Sequence, residues 1–366
     1  MAIKSVTSML LQLPYEIGGP KEEFLGRTRT HMPMLLVRVE SSSGVVGWGE
    51  SFSLSAAVVT KSAIDNIVAP YVIGKDEDNF QPLIEELRRK LQFAGRGGPL
   101  AFAVSGLDIA LWDIAGKKAG RPISKLLGGA KRTTLPAYAS LMHYSTPELM
   151  ASACRRVASM GYKAVKIHDD KVQQAVVARQ ALGNDIALMI DVNCAWSVEQ
   201  ALGYLPKLET LKLKWLEEPV WPPETPRNLR IIKTKTDIPL AAGEILNSSF
   251  EIVDMAEARV LDIIQPSVTK IGGISEMITI IDGLKDSDVQ MVPHSPYYGP
   301  GLLATLHIAS TLAYEVPIEK YFCDLQANPL GNLIEPQSGQ LCVPTGVGIG
   351  AEPDPLVIRE YQIQQP

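Results

Sequence analysis

Three short stretches of the chain decide the fold: LMIDVN at residues 188–193, KWLEEP at 214–219 and LAAGE at 240–244. In each stretch an apolar run typical of a buried β-strand leads into a carboxylate, and these acids are Asp191, Glu217 and Glu244. A spacing of roughly 26 residues leaves room for one strand and one helix between successive acids. The pattern therefore predicts a parallel sheet built from βα units.

The same period extends along the chain in both directions. A polar residue closes each of eight β-rich runs, at intervals of roughly 23 to 27 residues. These residues are Ser140, Lys166, Asp191, Glu217, Glu244, Ser267 or Lys270, His294 and Glu319. Eight units of this length fit a closed barrel, in which side chains at the carboxyl ends of the strands point into one mouth. The spacing therefore predicts one shared site.

Residues 1–128 and 323–366 lie outside this pattern, which places the barrel at 129–322. The first part reads as strands followed by helices, an order that indicates a separate α+β unit. The last part is rich in Pro and Gly and too short for a domain, so we expect it to pack back across the N-terminal unit.

Residues 16–32, EIGGPKEEFLGRTRTHM, read as a loop that could cover the barrel mouth. A solvated surface loop is the alternative interpretation. Arg27, Arg29 and His31 in this loop are candidates for selecting the substrate.

Composition limits the possible partners. The 366 residues carry a formal net charge of -5 and a pI near 5.7, so no basic field attracts nucleic acid or anionic lipid. The N-terminal apolar run is too short for a signal peptide, and we expect no membrane span and a cytoplasmic location. The four cysteines form no CxxC pair, which argues against a zinc ribbon or a disulfide framework. Small molecules are the expected partners.

The three carboxylates predict a metal site. A hard divalent cation takes oxygen ligands, and neighbouring barrel strands bring three such groups to one point, for which Mg²⁺ fits best. Each acid taken singly is more often solvated or ion-paired than a ligand. Their shared register favours the metal, because like charges emerging from buried strands need a cation to offset them.

Lys166 and His294 close strands on the two sides of the three acids, so each is a candidate proton carrier. A cation beside a substrate carboxylate stabilises the enediolate that forms when the α-proton leaves. Lysine must be neutral to act as the base, which requires burial or cationic neighbours. The alternative interpretations are a salt bridge for Lys166 and a satisfied loop histidine for His294.

With these residues in place, the sequence resembles the enolase superfamily, specifically its mandelate racemase and muconate lactonizing branch. The similarity runs along nearly the whole chain and is carried by motifs in a fixed order: GWGE at 47–50, SGLDIALWDIAGKKAGRPISKLLGG at 105–129, GYKAVKIH at 161–168, IDVN, WLEEP, AAGE and KIGG at 270–273. The resemblance implies an α/β fold with a modified TIM barrel of (β/α)7β type under an N-terminal α+β capping domain. It also implies abstraction of a carboxylate α-proton, with Asn193 beside the metal and Glu319 hydrogen-bonded to the substrate carboxylate.

Two positions depart from the family pattern. Relatives often carry Lys-x-Lys on the second barrel strand, whereas this chain has Lys166-Ile167-His168. His168 could orient Lys166, contact the substrate or serve a structural role. On the sixth barrel strand, relatives carry either an Asp that pairs with the histidine of the seventh strand or a second catalytic Lys. This chain has Ser267 at that position. The tautomer and charge of His294 are therefore left open.

The leading hypothesis is an acid-sugar enzyme in which Lys166 removes the α-proton and His294 acts as general acid. A β-hydroxyl leaving group gives dehydration, a lactone or anhydro ring oxygen gives cycloisomerisation, and return of the proton to the other face gives racemisation or epimerisation. Residues placed to bind or support the substrate are His168, Asn193, Ser267, Lys270, Glu319, Tyr144 and Tyr297. A non-catalytic relative that binds an acidic metabolite, or a metal-dependent aldolase or hydrolase on a similar barrel, are alternatives. The resemblance also implies a homo-oligomer.

Overall fold

The computed structural model describes residues 1–21, 23–24 and 27–363. Its N-terminal part contains five strands: β1 (Ile3–Glu16), β2 (Glu23–Phe24), β3 (Arg27–Thr28), β4 (His31–Ser41) and β5 (Val46–Ser51). β1, β4 and β5 form an antiparallel sheet with β4 in the middle. The turn after β4 falls at Ser42-Ser43-Gly44. β2 and β3 form a small hairpin within the predicted covering loop, and the side chain of Arg27 lies outside the described residues.

Helices follow this sheet in the order the sequence indicates. They are α1 (Ala57–Ala63), a π-helical turn (Ile64–Val68), α2 (Ala69–Val72), α3 (Phe80–Leu91), a 3₁₀ turn (Gln92–Ala94), α4 (Pro99–Ala119) and α5 (Ile123–Leu126). α4 ends at Gly120, whose left-handed conformation with φ of 62° suits glycine. α4 also approaches β5 closely, since a Cβ on Gly49 would stand 2.0 Å from the Gly106 carbonyl oxygen.

Among the described residues one helix, α4, is long and apolar enough to cross a membrane by length and composition alone. Within the protein, 78% of its apolar window is buried. That burial is the behaviour of a core helix, which needs no lipid to cover its apolar faces.

The central part is a curled sheet of eight parallel strands with helices, which confirms the predicted barrel. Its strands are β6 (Thr134–Leu141), β7 (Ala164–His168), β8 (Ala187–Asp191), β9 (Trp215–Glu217), β10 (Leu240–Ala242), β11 (Ile263–Ile264), β12 (Gln290–Met291) and β13 (Ile318–Phe322). The intervening helices are α6 (Pro147–Ser159), α7 (Val172–Leu182), α8 (Val198–Glu209), α9 (Pro226–Lys233), α10 (Ser249–Glu257), α11 (Gly273–Gly283) and α12 (Pro300–Thr311). Seven βα units therefore precede the eighth strand, as expected for a (β/α)7β barrel.

The sheet runs in the order β12, β11, β10, β9, β8, β7, β6, β13. The chain just beyond β12 closes it against β13, because the Ser295 amide donates to Glu319 Oε2 at 3.1 Å and the Ser295 hydroxyl donates to the Glu319 carbonyl at 3.1 Å. The polar residues sit less uniformly than expected: Ser140, Lys166 and Glu319 lie within strands, whereas Glu244 and His294 follow theirs. The polar side chains of the barrel mouth therefore lie at different depths along the barrel.

The chain after β13 contacts both earlier parts. It contains β14 (Asp324–Leu325), a 3₁₀ turn (Gly331–Ile334), β15 (Gln340–Cys342) and α13 (Pro355–Tyr361). β14 pairs with β1 and β15 pairs with β6. Beyond α13, the Ile363 amide donates to the Leu10 carbonyl of β1 at 2.9 Å.

Two buried carboxyls join the N-terminal helices and strands to the barrel. Glu50, at the end of β5, accepts from the Gly301 amide in the first turn of α12 at 2.8 Å. Asp108 of α4 accepts from the Ser275 amide at 3.0 Å and from the Ser275 hydroxyl at 2.5 Å, in the first turn of α11. Carboxyls at helix N-termini satisfy amides that have no partner within the helix.

We predict that Asp108 makes the stability of the protein depend on pH. Burial raises the pKa of Asp108 to about 7 from its ordinary 3.8, although Ser275 partly offsets this. Because the folded-state pKa exceeds the unfolded value, the folded protein binds this proton more tightly and loses stability as the pH rises towards 7. The Asp108→Asn variant lacks this titrating group. As the pH rises from about 5.5 to about 8, its free energy of unfolding should therefore gain about 2 kcal/mol relative to that of wild type.

Chemical denaturation at the two pH values measures this shift. Asp286→Asn, at an exposed position after α11, is the control and should follow wild type. A constant difference between Asp108→Asn and wild type across the range would contradict the prediction.

Candidate metal and proton-transfer site

Three neighbouring strands position the predicted metal ligands. Asp191 ends β8, Glu217 ends β9 and Glu244 follows β10. One oxygen from each carboxylate can be chosen so that all three lie within 4.8 Å of one another. Asp191 and Glu217 are buried and Glu244 is partly buried. We call these three residues the acidic cluster.

The electrostatics of the acidic cluster fit a hard divalent cation. Burial raises the pKa of Glu217 to about 8, because Lys166 offsets only part of the cost and Asp191 adds to it. The adjacent Glu218 is also buried; burial and the charge of Glu244 hold its pKa well above the usual range. Its Oε1 has no hydrogen-bond partner among the described residues. This crowding of carboxyl oxygens is what a bound cation would offset.

Lys166 lies inside β7 and reaches the acidic cluster from one side. Its Nζ is 2.7 Å from Glu217 Oε1, 3.0 Å from Glu319 Oε1 and 3.4 Å from Asp191 Oδ2, and its side chain is fully buried. Burial alone would lower the pKa of Lys166, but Glu217 and Glu319 outweigh it and hold that pKa well above the usual range. Without a cation, Lys166 is therefore a charged member of an ion-pair network.

His294 reaches the acidic cluster through a different acid. Its Nε2 lies 2.9 Å from Glu244 Oε2, and its Nδ1 lies 3.1 Å from Ser267 Oγ. The Ser267 hydroxyl also contacts the Tyr297 hydroxyl. Burial disfavours a charged Glu244, yet His294 and Lys270 hold its pKa well below the usual range. Lys166 and His294 thus contact different members of the cluster.

His168 contacts a carboxylate of the acidic cluster. Its Nδ1 is 2.6 Å from the Leu141 carbonyl and its Nε2 is 3.3 Å from Asp191 Oδ2. Burial alone would lower the pKa of His168, but Asp191 raises it to about 9. Burial alone would raise the pKa of Asp191, but the charge of Lys166 and the hydrogen bond from His168 outweigh it and lower that pKa to about 2. Of the roles left open for His168, this contact favours the structural one, in which His168 supports Asp191.

The other predicted residues divide between the cluster and its surroundings. The backbone N–H of Asn193 donates to Asp191 Oδ1 at 2.9 Å, and the residue as a whole is exposed. Glu319 accepts from the Ser140 hydroxyl at 2.7 Å. Lys270 Nζ lies 3.5 Å from Glu244 Oε1 and 4.7 Å from the centre of the Phe52 ring.

Three other candidates have hydrogen bonds with groups outside the acidic cluster. The Tyr144 hydroxyl donates to the Ile17 carbonyl at 2.9 Å, which ties the start of the covering loop to the barrel. The exposed His31 has Nδ1 2.9 Å from the neighbouring Thr30 hydroxyl, and the Arg29 carbonyl accepts from the Tyr15 hydroxyl at 2.8 Å. These contacts give none of the three a direct link to the cluster.

The sequence interpretation missed Trp215, Glu218 and Phe52. The Trp215 indole donates to Glu217 Oε2 at 2.8 Å, and Trp215 stands two residues before Glu217 on β9. Because side chains at i and i+2 share one face of a strand, this spacing was a usable signal. Phe52 follows β5, so no barrel period could place it beside Lys270 and His294.

Comparison with known proteins agrees with this architecture. Residues 23–128 match the N-terminal domain of mandelate racemase and muconate lactonizing enzyme, and residues 148–357 match the family described as enolase C-terminal domain-like. The chain is 30% identical to an arabinonate dehydratase of Saccharolobus solfataricus over 90% of this chain and 91% of that one. It is 29% identical to a D-galactarolactone cycloisomerase of Agrobacterium fabrum over the full length of both.

A crystal structure of a 3,6-anhydro-D-galactonate cycloisomerase from Zobellia galactanivorans superposes over the full length of both chains, with a TM-score of 0.86 and 27% identity. The chain therefore belongs to the mandelate racemase and muconate lactonizing family of the enolase superfamily.

We predict that Trp215→Phe weakens binding of Mg²⁺ about tenfold, because loss of the indole donor frees Glu217 to turn within the cluster. Isothermal calorimetry with MgCl₂ measures the change. Trp112→Phe is a matched control, since this buried indole donates to Ser275 at 3.0 Å on the outer side of the barrel. Equal affinities for Trp215→Phe and the control would show that the indole does not orient Glu217.

Proposed function

We propose that this family member is a Mg²⁺-dependent lyase or isomerase that removes the α-proton of a sugar acid and eliminates the β-oxygen. One observation carries the proposal: Lys166 and His294 contact the acidic cluster through different acids, Glu217 and Glu244. A substrate carboxylate placed at the cluster would therefore have one proton carrier on each side. Proton removal and leaving-group protonation need that arrangement.

Asp191, Glu217 and Glu244 would hold the metal. When bound, Mg²⁺ supplies positive charge that stabilises the enediolate and competes with Lys166 for the carboxylates of the cluster. Lys166 can act as a base only in its neutral form, so weaker pairing with these acids favours its loss of a proton. Glu319 and His168 then remain as the polar groups that support Lys166 and Asp191.

The elimination is balanced by two proton transfers. Lys166 takes the α-proton, and the electrons of that C–H bond form the double bond of the enediolate. As these electrons move towards the β-carbon, the C–O bond there breaks and His294 gives its proton to the departing oxygen. The resulting enol takes a proton from solvent at the β-carbon and loses its hydroxyl proton to become a 2-keto acid, and exchange with solvent restores Lys166 and His294.

The leaving group decides the outcome of this one mechanism. A β-hydroxyl departs as water, which gives dehydration to a 2-keto-3-deoxy acid. A ring oxygen of a lactone or anhydro sugar stays attached after the bond breaks, which gives cycloisomerisation. The named relatives include both types, so sugar acids and their cyclic forms are the substrates to test. Racemisation would require His294 to return a proton to the α-carbon.

We predict that Lys166→Ala abolishes exchange of the substrate α-proton in D₂O, because no other group then receives that proton. Wild type should convert at least one member of a panel of aldonates, aldarates and their lactones, followed by NMR. Removal of Mg²⁺ with EDTA should stop turnover, and added MgCl₂ should restore it. Lys285→Ala, at an exposed loop position, is the control.

Exchange that persists in Lys166→Ala would assign the base to another residue. Turnover that survives complete chelation would contradict the metal assignment. Binding of sugar acids measured by calorimetry, without exchange for any member of the panel, would favour the non-catalytic alternative.

We predict that His294→Gln retains part of the α-proton exchange but lowers turnover by about 10²- to 10⁴-fold, the usual contribution of a general acid. Exchange and product formation are followed in the same NMR sample. Loss of both to the same extent would make His294 the base instead.

A further inference from the structure

A cavity of about 660 Å³ lies between the N-terminal helices and the outer helices of the barrel. Its walls come from α3, the 3₁₀ turn that follows it, α4, α10 and α11, and they include the apolar side chains of Ile84, Leu100, Val104 and Ile278. The exposed Arg89 also lines the cavity, which is therefore open to solvent. Within the described part of the chain, none of its lining residues belongs to the acidic cluster, so the proposed reaction does not account for it.

Two exposed phenylalanines stand beside this cavity. Phe93 lies in the 3₁₀ turn between Gln92 and Gly95, which both line the cavity. It is 94% exposed, more than any other large apolar residue in the described ranges. Phe250, at the start of α10, lines the cavity and is 65% exposed, with the Arg96 guanidinium 5.8 Å from its ring centre. Single exposed apolar residues are ordinary, but two aromatic rings at one open cavity mark an interaction surface.

The walls of the cavity are fixed by contacts between the N-terminal part and the barrel. Arg88 of α3 contacts Glu276 of α11, and Glu276 Oε2 accepts from the Ser249 amide of α10 at 3.3 Å. The Gly272 amide, just before α11, donates to the Ser105 hydroxyl of α4 at 2.8 Å. The cavity is therefore preformed, and a rigid aromatic ring can enter it at little conformational cost.

The side of α3 that lines the cavity carries its acid before its bases. Glu85 and Arg89 are exposed and form an ion pair one helical turn apart, whereas Arg88 is already paired with Glu276. A second copy of this helix in antiparallel orientation would set its base opposite the acid of the first, and twofold symmetry would make the same contact twice. A partner of one charge sign would instead meet a like charge at Glu85 or at Arg89. The pattern therefore favours a copy of the same chain.

We propose that this surface is an isologous interface with a second copy of the chain, in which the two α3 helices lie antiparallel and Phe93 of each copy enters the cavity of the other. We call it the α3 face, and it consists of the cavity together with Gln81, Glu85, Arg89, Gln92 and Phe93. The α3 face gives the homo-oligomer expected from the sequence a defined surface. It does not depend on the proposed reaction.

One register satisfies both the charges and the aromatic ring. In an antiparallel pair centred at the level of Leu87, Glu85 precedes the centre by two residues and faces Arg89 of the second copy, which follows the centre by two. The same register places Phe93, six residues beyond the centre, opposite Gln81, six residues before it. Because Gln81 lines the cavity, the helix pairing that matches the charges also brings Phe93 to the cavity of the second copy.

Sedimentation velocity of the full-length protein over a range of concentrations tests the aromatic contact. We expect wild type to associate, and Phe93→Ser to raise the dissociation constant of this interface about 30-fold or more, the usual effect of truncating a central aromatic anchor. Because Phe93 is exposed in the single chain, this substitution should leave folding intact, which circular dichroism and the thermal midpoint check. Ile73→Ser is the matched control, since Ile73 is also exposed, at 46%, but does not line the cavity.

Charge reversal tests the pairing of the two helices. Glu85→Arg and Arg89→Glu, each made alone, place like charges opposite one another and should each weaken association about tenfold, since symmetry counts each change twice. The double variant restores opposite charges within and between the helices and should associate as wild type does. Glu86→Arg is the control for the altered net charge, because Glu86 is exposed on the same helix but does not line the cavity.

A wild-type protein that stays monomeric at about 100 µM would overturn the proposal, because interfaces of standard size bind in the micromolar range or tighter. Equal association of Phe93→Ser and Ile73→Ser would also overturn it, as would a double charge variant that associates no better than the single variants. These measurements use no substrate. Failure of the proposed function would appear as absence of turnover on every sugar acid and would leave the sedimentation results unchanged.

Discussion

The site is constrained by the burial of several carboxyls at one end of a barrel of parallel strands. Asp191, Glu217, Glu244 and Glu319 approach one another in a region from which water is largely removed, where each negative charge raises the cost of the next. Lys166 offsets part of that cost, and His168, Lys270 and His294 contribute from the sides. The basic residues of the mouth can therefore be understood as partners that the buried acidic cluster requires. Under the proposed function, a bound cation would offset the same charges and leave these residues available for chemistry.

The N-terminal strands and helices hold this arrangement from outside the barrel. Gly49 allows β5 to lie against α4, and the next residue of the same strand, Glu50, accepts from an amide in the first turn of α12. α12 begins just after the loop that carries His294 and Tyr297, so the position of that loop depends on a residue of the N-terminal sheet. The motifs GWGE and SGLD consequently have a structural explanation: they supply close packing and the carboxyls that join two parts of the protein.

Much of the fold could be predicted from the sequence because a barrel repeats. Polar residues at a regular interval located all eight strands. The exact depth of each side chain could not be obtained in this way, since Lys166 lies within its strand whereas His294 lies beyond its own. Contacts between the barrel and the N-terminal part, such as that of Phe52 with Lys270, depend on tertiary packing, which a local sequence pattern does not show. The contact between His294 and Glu244 could not be predicted either, because the sequence does not give the distance between two side chains that follow different strands.

The late strands β14 and β15 have a consequence for biosynthesis. β14 pairs with β1, and β15 pairs with β6, so sheets that start near the beginning of each half are finished by residues made more than 180 positions later. While the ribosome is still translating that region, both β1 and β6 present unpaired backbone edges to solvent or to chaperones. Completion of the native hydrogen-bond ladders must therefore wait until residues 324–342 have left the exit tunnel.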